Sequence, residues 1–211
     1  MLPIWIKICG ITRAEDALAA TALGVNAIGL VFYAPSPRCV VATQAETILS
    51  HIADDIEVFA LFVDPSAEQV SAALAVGRIN RLQFHGSESS EFCASFGKPY
   101  MKAFRVQSAE AVLSSLVSYR SAQRVLLDSY TKNVPGGTGK TFDWNQAATI
   151  VKKSSQPIVL AGGLGIKNIA EAIEIVQPFG VDVSSGVEAS PGIKDTGKLE
   201  KFIEGVRSVR A

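Results

Sequence analysis

Cysteine is scarce in this 211-residue chain: three in all, Cys9, Cys39 and Cys93, with neither CxxC spacing nor an even count. That argues against a disulfide framework or a structural zinc site and favours a reducing compartment. Two histidines are too few for a multi-histidine metal site. Charge of either sign is not in excess, with 20 Lys+Arg against 20 Asp+Glu. No global field therefore recruits nucleic acid or an acidic membrane surface, and any anion must be held by a local site. No apolar stretch approaches the ~18 residues a bilayer span needs. The opening Met1-Leu-Pro-Ile-Trp-Ile6 is too short for a signal h-region, and Lys7 interrupts it. Linkers, low-complexity tracts and charge blocks are missing as well. The expectation is one soluble, cytoplasmic domain over residues 1–211, with neither nucleic acid nor membrane as partner and with monomer and homodimer both open.

What the chain does have is a period. Roughly every 25 residues a short apolar run meets a polar or glycine stop and then a helical pattern, with runs at 4–8, 27–32, 56–63, 79–84, 100–104, 124–127, 157–161 and 180–183. Eight strands alternating with eight helices predict a parallel (β/α)8 TIM barrel, α/β in class. The length is near the lower limit for that fold, and 48% hydrophobic content suits strands buried on both faces. Thr12-Arg-Ala-Glu15, Thr43-Gln-Ala-Glu46 and Ser66-Ala-Glu-Gln69 have capping-box form, Asp143-Trp-Asn-Gln146 is an Asx-led analogue, and a last helix starts near Asp195. The one long gap, between the sixth and seventh strands, holds the glycine-rich 133–139 segment with Gly137 and Gly139, expected to act as a lid or ligand clamp.

A parallel barrel places its chemistry at the strand C-terminal ends. The stops there are Cys9, Asp64, His85, Arg105, Asp128, Gly162-Gly163 and Ser184-Ser185. Gly162 and Gly163 after strand seven, and Ser184, Ser185 and Gly186 after strand eight, offer backbone amides and hydroxyls to a phosphate where barrels frequently bind one. The plainer alternative is that these glycines merely turn the chain. Gly139-Lys-Thr141 is not a nucleotide P-loop, because Val134 stands where the motif needs glycine. Strand alternation puts Lys7 and Cys9 on the barrel interior, where Cys9 is either a small buried hydrophobe or a thiol whose charged form Lys7 favours. Asp128, after three apolar residues, is costly unless it faces the mouth; otherwise it is a cap. Arg38 has the planar fork to clamp a carboxylate, though surface arginines are common. His85 and Asp182 are further mouth candidates, and a lone histidine is more often structural.

Together these pieces resemble phosphoribosylanthranilate isomerase, the aldose–ketose isomerase family of tryptophan biosynthesis. The stretches that carry the resemblance are Lys-Ile-Cys-Gly-Ile-Thr (7–12), Ser-Pro-Arg (36–38), Gln-Phe-His-Gly (83–86), Leu-Asp-Ser (127–129), Gly-Gly-Thr-Gly (136–139), Phe-Asp-Trp (142–144), Leu-Ala-Gly-Gly-Leu (160–164), Val-Asp-Val-Ser-Ser-Gly-Val-Glu (181–188) and Pro-Gly-Ile-Lys-Asp (191–195). Phe84, where leucine is more usual, and Asn26, where an acidic residue often sits, are small departures. The resemblance implies an Amadori rearrangement of a small-molecule phosphoribosyl substrate, with no metal or organic cofactor, Asp128 as acid and Cys9 as base. It further implies that Arg38 holds the anthranilate carboxylate, the two glycine/serine loops the phosphate, and Asp182 and His85 the ribose hydroxyls or their support. A histidine-pathway phosphosugar isomerase is the nearest alternative, set back by a cysteine rather than an aspartate at the end of strand one. A non-catalytic phosphosugar-binding barrel and a purely structural barrel are the others.

Overall fold

The computed structural model describes residues 3–128 and 144–209. Each apolar run becomes a strand: β1 (Trp5–Cys9), β2 (Ala27–Val31), β3 (Glu57–Phe62), β4 (Arg81–Phe84), β5 (Tyr100–Arg105), β6 (Arg124–Asp128), β7 (Ile158–Ala161) and β8 (Gly180–Val183). Neighbours pair in parallel and β8 returns to β1, so the sheet closes into a barrel without an edge. The helices between strands are α1 (Ala14–Ala22), α2 (Ala42–Leu49), α3 (Ala67–Leu74), α4 (Ser90–Ala94), α5 (Ala109–Leu116), α6 (Trp144–Lys153), α7 (Ile169–Val176) and α8 (Thr196–Ser208). Among the described residues no helix is long and apolar enough to cross a membrane.

Period-two alternation divides the apolar residues into two cores. Ile6, Ile8, Ile28, Leu30, Val58, Leu82, Val125 and Leu160 face outward and meet the helices. Trp5, Ala27, Phe59, Met101, Leu126 and Val159 face inward and fill the barrel. Register fixes what joins them inside: Lys7 lies opposite Ala27 and Asp182, Cys9 opposite Gly29, and Asp128 opposite Ala161. At the opposite end of the barrel, Glu57 accepts hydrogen bonds from Arg124 (2.7 and 3.1 Å) and Arg81 (3.2 Å). The Arg124 guanidinium stacks over the Trp5 ring at 4.7 Å, closing that end with a paired, aromatic-covered plug.

Two expected helix caps are corrected. α1 begins two residues after Thr12, with Arg13 at its N-cap and no side-chain cap; the Thr12 hydroxyl donates instead to the Gly192 carbonyl. α2 begins at Ala42, so Thr43 falls inside its first turn, because the chain stays tied to β2 through the Val40 amide until just before. A capping box needs its hydroxyl on the extended residue preceding the helix, and both threonines are out of place. The Ser66–Gln69 box forms, and Asp195 caps α8, which buries Leu199, Phe202, Ile203 and Val206. Asp143 and the 133–139 segment, with Gly137 and Gly139, lie outside the described residues. After β8 the sequence pattern gave no warning of a 3₁₀ turn (Ser185–Val187) and an antiparallel ribbon of β9 (Glu188–Ser190) and β10 (Ile193–Lys194). The two departures from the family pattern are structural: Phe84 packs among Phe62, Phe92, Phe96 and Tyr100, and Asn26 accepts from the Ile6 amide.

Closure between β8 and β1 leaves no room at Gly180, where a Cβ would lie 2.7 Å from the Trp5 carbonyl oxygen and 2.8 Å from its ring. Gly180→Ala is expected to lower unfolding free energy by about 1–3 kcal/mol. Urea denaturation followed by tryptophan fluorescence checks this, and an unchanged midpoint would refute the packing argument.

Candidate active site

The β1 end carries the first half of the site. Lys7 is fully buried, and its ammonium donates to Asp182 Oδ2 on β8 at 2.9 Å. On β2, Gly29 leaves open the volume both groups need: a Cβ there would sit 2.9 Å from Cys9 Sγ and 3.0 Å from Lys7 Nζ. Burial works against the Lys7 charge, but Asp182 and Cys9 outweigh it and raise its pKa, so the ammonium persists. Burial pushes the Cys9 thiol up, while Lys7 and Lys194 pull the other way and Asp182 adds to the rise. The Asp182 carboxyl is likewise raised by burial, with Lys7 and more distant His85 opposing. Its Oδ1 is buried without a hydrogen-bond partner among the described residues, an acceptor turned into the barrel interior.

The second half lies at β4 and β6. Asp128 ends β6, and its Oδ2 sits 3.0 Å from Nε2 of His85, the residue following β4. β4 and β6 are separated by one strand, so their inward side chains converge over the mouth. His85 also acts electrostatically on Asp182. Two hydrogen-bonded pairs thus stand at the strand C-terminal ends, Lys7–Asp182 beside Cys9 and His85–Asp128. Thiol and carboxyl belong to one mouth.

Arg38 enters from the loop after β2 and lies across Gly10, where a Cβ would meet Arg38 Cδ at 2.5 Å and Ser184 Oγ at 2.9 Å; Gly10 has φ of +73°. Its Nε and Nη2 donate to the two oxygens of Glu188 at 2.7 and 2.6 Å, a bidentate pair. Glu188 Oε1 also accepts from the buried Lys194 ammonium at 2.9 Å. Nothing in the sequence singles out Glu188 and Lys194 by chemistry; the β9–β10 ribbon, where they are register partners, brings them to Arg38.

The two glycine/serine loops meet. Gly162 and Gly163 have φ of +76° and +66°, a left-handed pair that glycine adopts without strain. At Gly186 a Cβ would collide with the Leu164 carbonyl. Asn168, which the residue pattern does not flag, locks the first loop by accepting from the Gly165 amide (2.8 Å) and donating to the Gly163 carbonyl (3.0 Å). A cleft of about 530 Å³ lies against Gly163, Gly165, Ser185 and Gly186, with Lys198 and Lys201 of α8 on its wall. Two of the strand-end stops stand apart from the chemistry: Arg105 is exposed, and Asp64 (φ +47°) accepts from the Ser87 amide to shape a loop.

Comparison with known proteins gives the family and the fold. The family model of N-(5'-phosphoribosyl)anthranilate (PRA) isomerase matches residues 6–205. The N-(5'-phosphoribosyl)anthranilate isomerase of Cellvibrio japonicus is 49% identical over 203 residues, covering 96% of this chain and 93% of that protein. The phosphoribosyl anthranilate isomerase structure from Thermotoga maritima superposes with a TM-score of 0.88 at 36% identity, covering 97% of this chain and 99% of that one. A further isomerase structure, solved in complex with reduced 1-(o-carboxyphenylamino)-1-deoxyribulose 5-phosphate, gives 0.85 at 33% identity over 97% and 99% of the two chains. With a match that runs from the first strand to the last helix, the chain belongs to the N-(5'-phosphoribosyl)anthranilate isomerase family.

Proposed function

We propose that this isomerase rearranges N-(5'-phosphoribosyl)anthranilate to 1-(2-carboxyphenylamino)-1-deoxyribulose 5-phosphate with Cys9 as the base and Asp128 as the acid, in a single catalytic domain over residues 1–211. The observation that supports the assignment is the pair of hydrogen-bonded arrangements at the strand C-terminal ends, Lys7–Asp182 beside Cys9 and His85–Asp128. Asp128 protonates the furanose ring oxygen, and the C1–O bond breaks to give an open-chain iminium. Cys9, as thiolate, removes the C2 proton, and the electron pair moves to the substrate nitrogen to form an enolamine, which tautomerises to the ketone. The substrate's own nitrogen is the electron sink, so these two groups suffice, each supplying roughly 10²–10⁴ in rate. Lys7 holds its ammonium beside Cys9, where it favours the thiolate against the burial that disfavours it. Free cysteines at 9, 39 and 93 support a reducing, cytoplasmic setting.

Both ends of the substrate need anchors, since positioning converts two encounters into one. The loops carrying Gly162, Gly163, Ser184, Ser185 and Gly186 hold the phosphate, with Lys198 and Lys201 adding positive charge nearby. Arg38 takes the anthranilate carboxylate. Its Nε and one edge of Nη2 are engaged by Glu188, so that pair presents the remaining guanidinium donors to the ligand in a fixed plane. Asp182, held by Lys7, supports the ribose hydroxyls.

Cys9→Ala and Asp128→Asn are each expected to cut kcat by at least about 10²-fold with folding retained. A fluorescence assay following loss of the anthranilate adduct reads this, and near-normal turnover in either variant removes that residue's role. Arg38→Lys is expected to raise KM with little change in kcat, because an ammonium lacks the planar fork; an unchanged KM would put the carboxylate elsewhere. Glu188 has a pH signature. Burial pushes its carboxyl up, but Arg38 and Lys194 outweigh this and hold it below its ordinary value of 4.5. A depressed folded pKa adds stability that is complete above the ordinary value and is lost as pH falls through the lowered one. The stability gap between the parent chain and Glu188→Gln should therefore narrow as pH drops below about 4.5. Equilibrium unfolding across that range checks it, and a constant gap would contradict the linkage.

A further inference from the structure

One buried ion pair takes no part in the reaction described above. Among the described residues Lys102 is the only charged residue on the helix-facing side of the eight strands, where its register partners, Phe84 and Val125, are apolar. Its ammonium donates to Glu88 Oε2 at 2.7 Å, with the side chains 3% and 2% exposed, and it lies 5.6 Å from the Tyr119 ring centroid. Such a pair costs desolvation that well-packed apolar residues would avoid, so it stabilises the fold poorly for its expense.

What the pair does is clasp the loop that carries His85. Glu88 accepts the Asp64 amide at 2.9 Å and the Gly86 amide at 3.1 and 3.0 Å. Lys102 takes the Gly86 carbonyl at 2.7 Å, so both polar groups of the residue after His85 are held. Tyr119 donates its hydroxyl to the Glu88 carbonyl at 2.7 Å, fixing the far end of the loop. A Cβ at Gly86 would collide with the Asp64 carboxylate, so the loop backbone fits closely against the β3 end. On the other side, the His85 amide donates to the Phe62 carbonyl at 2.9 Å. The backbone that aims the imidazole at Asp128 is thereby tied on both sides.

The geometry points to Glu88 and Lys102 as positioning residues of the isomerase, acting through His85 to hold Asp128 for protonation of the ring oxygen. This inference rests on the proposed role of Asp128 with His85. A loop released by a fraction of an ångström would misplace the acid without touching the anchors for carboxylate and phosphate, so the loss falls on kcat rather than KM.

The test compares the intact protein with two double variants, with His85→Ala and with one of the double variants combined with His85→Ala. Glu88→Leu/Lys102→Leu removes both charges together, which spares the fold an unpaired buried ion. It is expected to lower kcat by about 10- to 100-fold with KM within about twofold and the native circular dichroism spectrum retained, while the melting temperature falls because the Asp64 and Gly86 amides lose their acceptor. Glu88→Gln/Lys102→Met keeps an amide oxygen for the Asp64 and Gly86 amides and is expected to recover most of that loss. Added to His85→Ala, the leucine pair should cost nothing further, since the relay is already cut. Parent-like kcat in the leucine pair, or losses that multiply with His85→Ala, would overturn the relay alone. Full turnover in His85→Ala by itself would overturn the His85–Asp128 reading, and the relay with it.

Discussion

A salt bridge inside the barrel, Lys7 to Asp182 at 2.9 Å, is the constraint around which this molecule is arranged. A closed sheet has no edge at which to hide a charge, so the interior must neutralise what it encloses. The pair does so between the first and last strands, across the seam that closes the barrel. It leaves an ammonium beside the Cys9 thiol and a buried carboxylate oxygen without a hydrogen-bond partner among the described residues. Gly29 on β2 and Gly180 on β8 make room on either side of β1, one for the polar groups and one for Trp5.

Around this centre, charge is balanced locally. The 20 cationic and 20 anionic residues cancel over the whole chain, yet the cations that matter cluster at particular ends of the barrel. Arg124 and Arg81 share Glu57 at the strand N-terminal end, where barrels secure their fold. Arg38 and Lys194 share Glu188 at the opposite end, where barrels do chemistry. In each case one carboxylate organises two cations, which fixes their planes as well as neutralising them. The ribbon after β8 brings the second of these arrangements to the mouth, and the Thr12–Gly192 hydrogen bond fastens that ribbon to the loop after β1.

Much of the fold is legible in the residue order because parallel barrel strands are buried on both faces and so read as short apolar runs. All eight appear within two residues of their structural bounds, and Cys9 and Asp128 stand out as polar endings of apolar runs. Helix starts read less well. Thr12 and Thr43 have capping form without the role, since whether a hydroxyl caps a helix depends on where tertiary ties release the chain from the preceding strand. Asn168, Glu188, Lys194 and Glu88 were not legible as site-shaping residues: their partners lie on other loops, and no local spacing encodes those meetings.

The amino-acid sequence by itself determined the barrel, the polar ends of its strands and, through motifs spread from the first strand to the last helix, the family. It does so because burial on two faces and turn chemistry are local properties, written in composition and spacing. Only the tertiary structure decided which polar groups face one another. The bridging of Lys7 to Asp182, of His85 to Asp128 and of Arg38 to Glu188 joins residues 175, 43 and 150 positions apart. Those partners are chosen by barrel closure and loop docking, which act through space and leave no periodic trace along the chain.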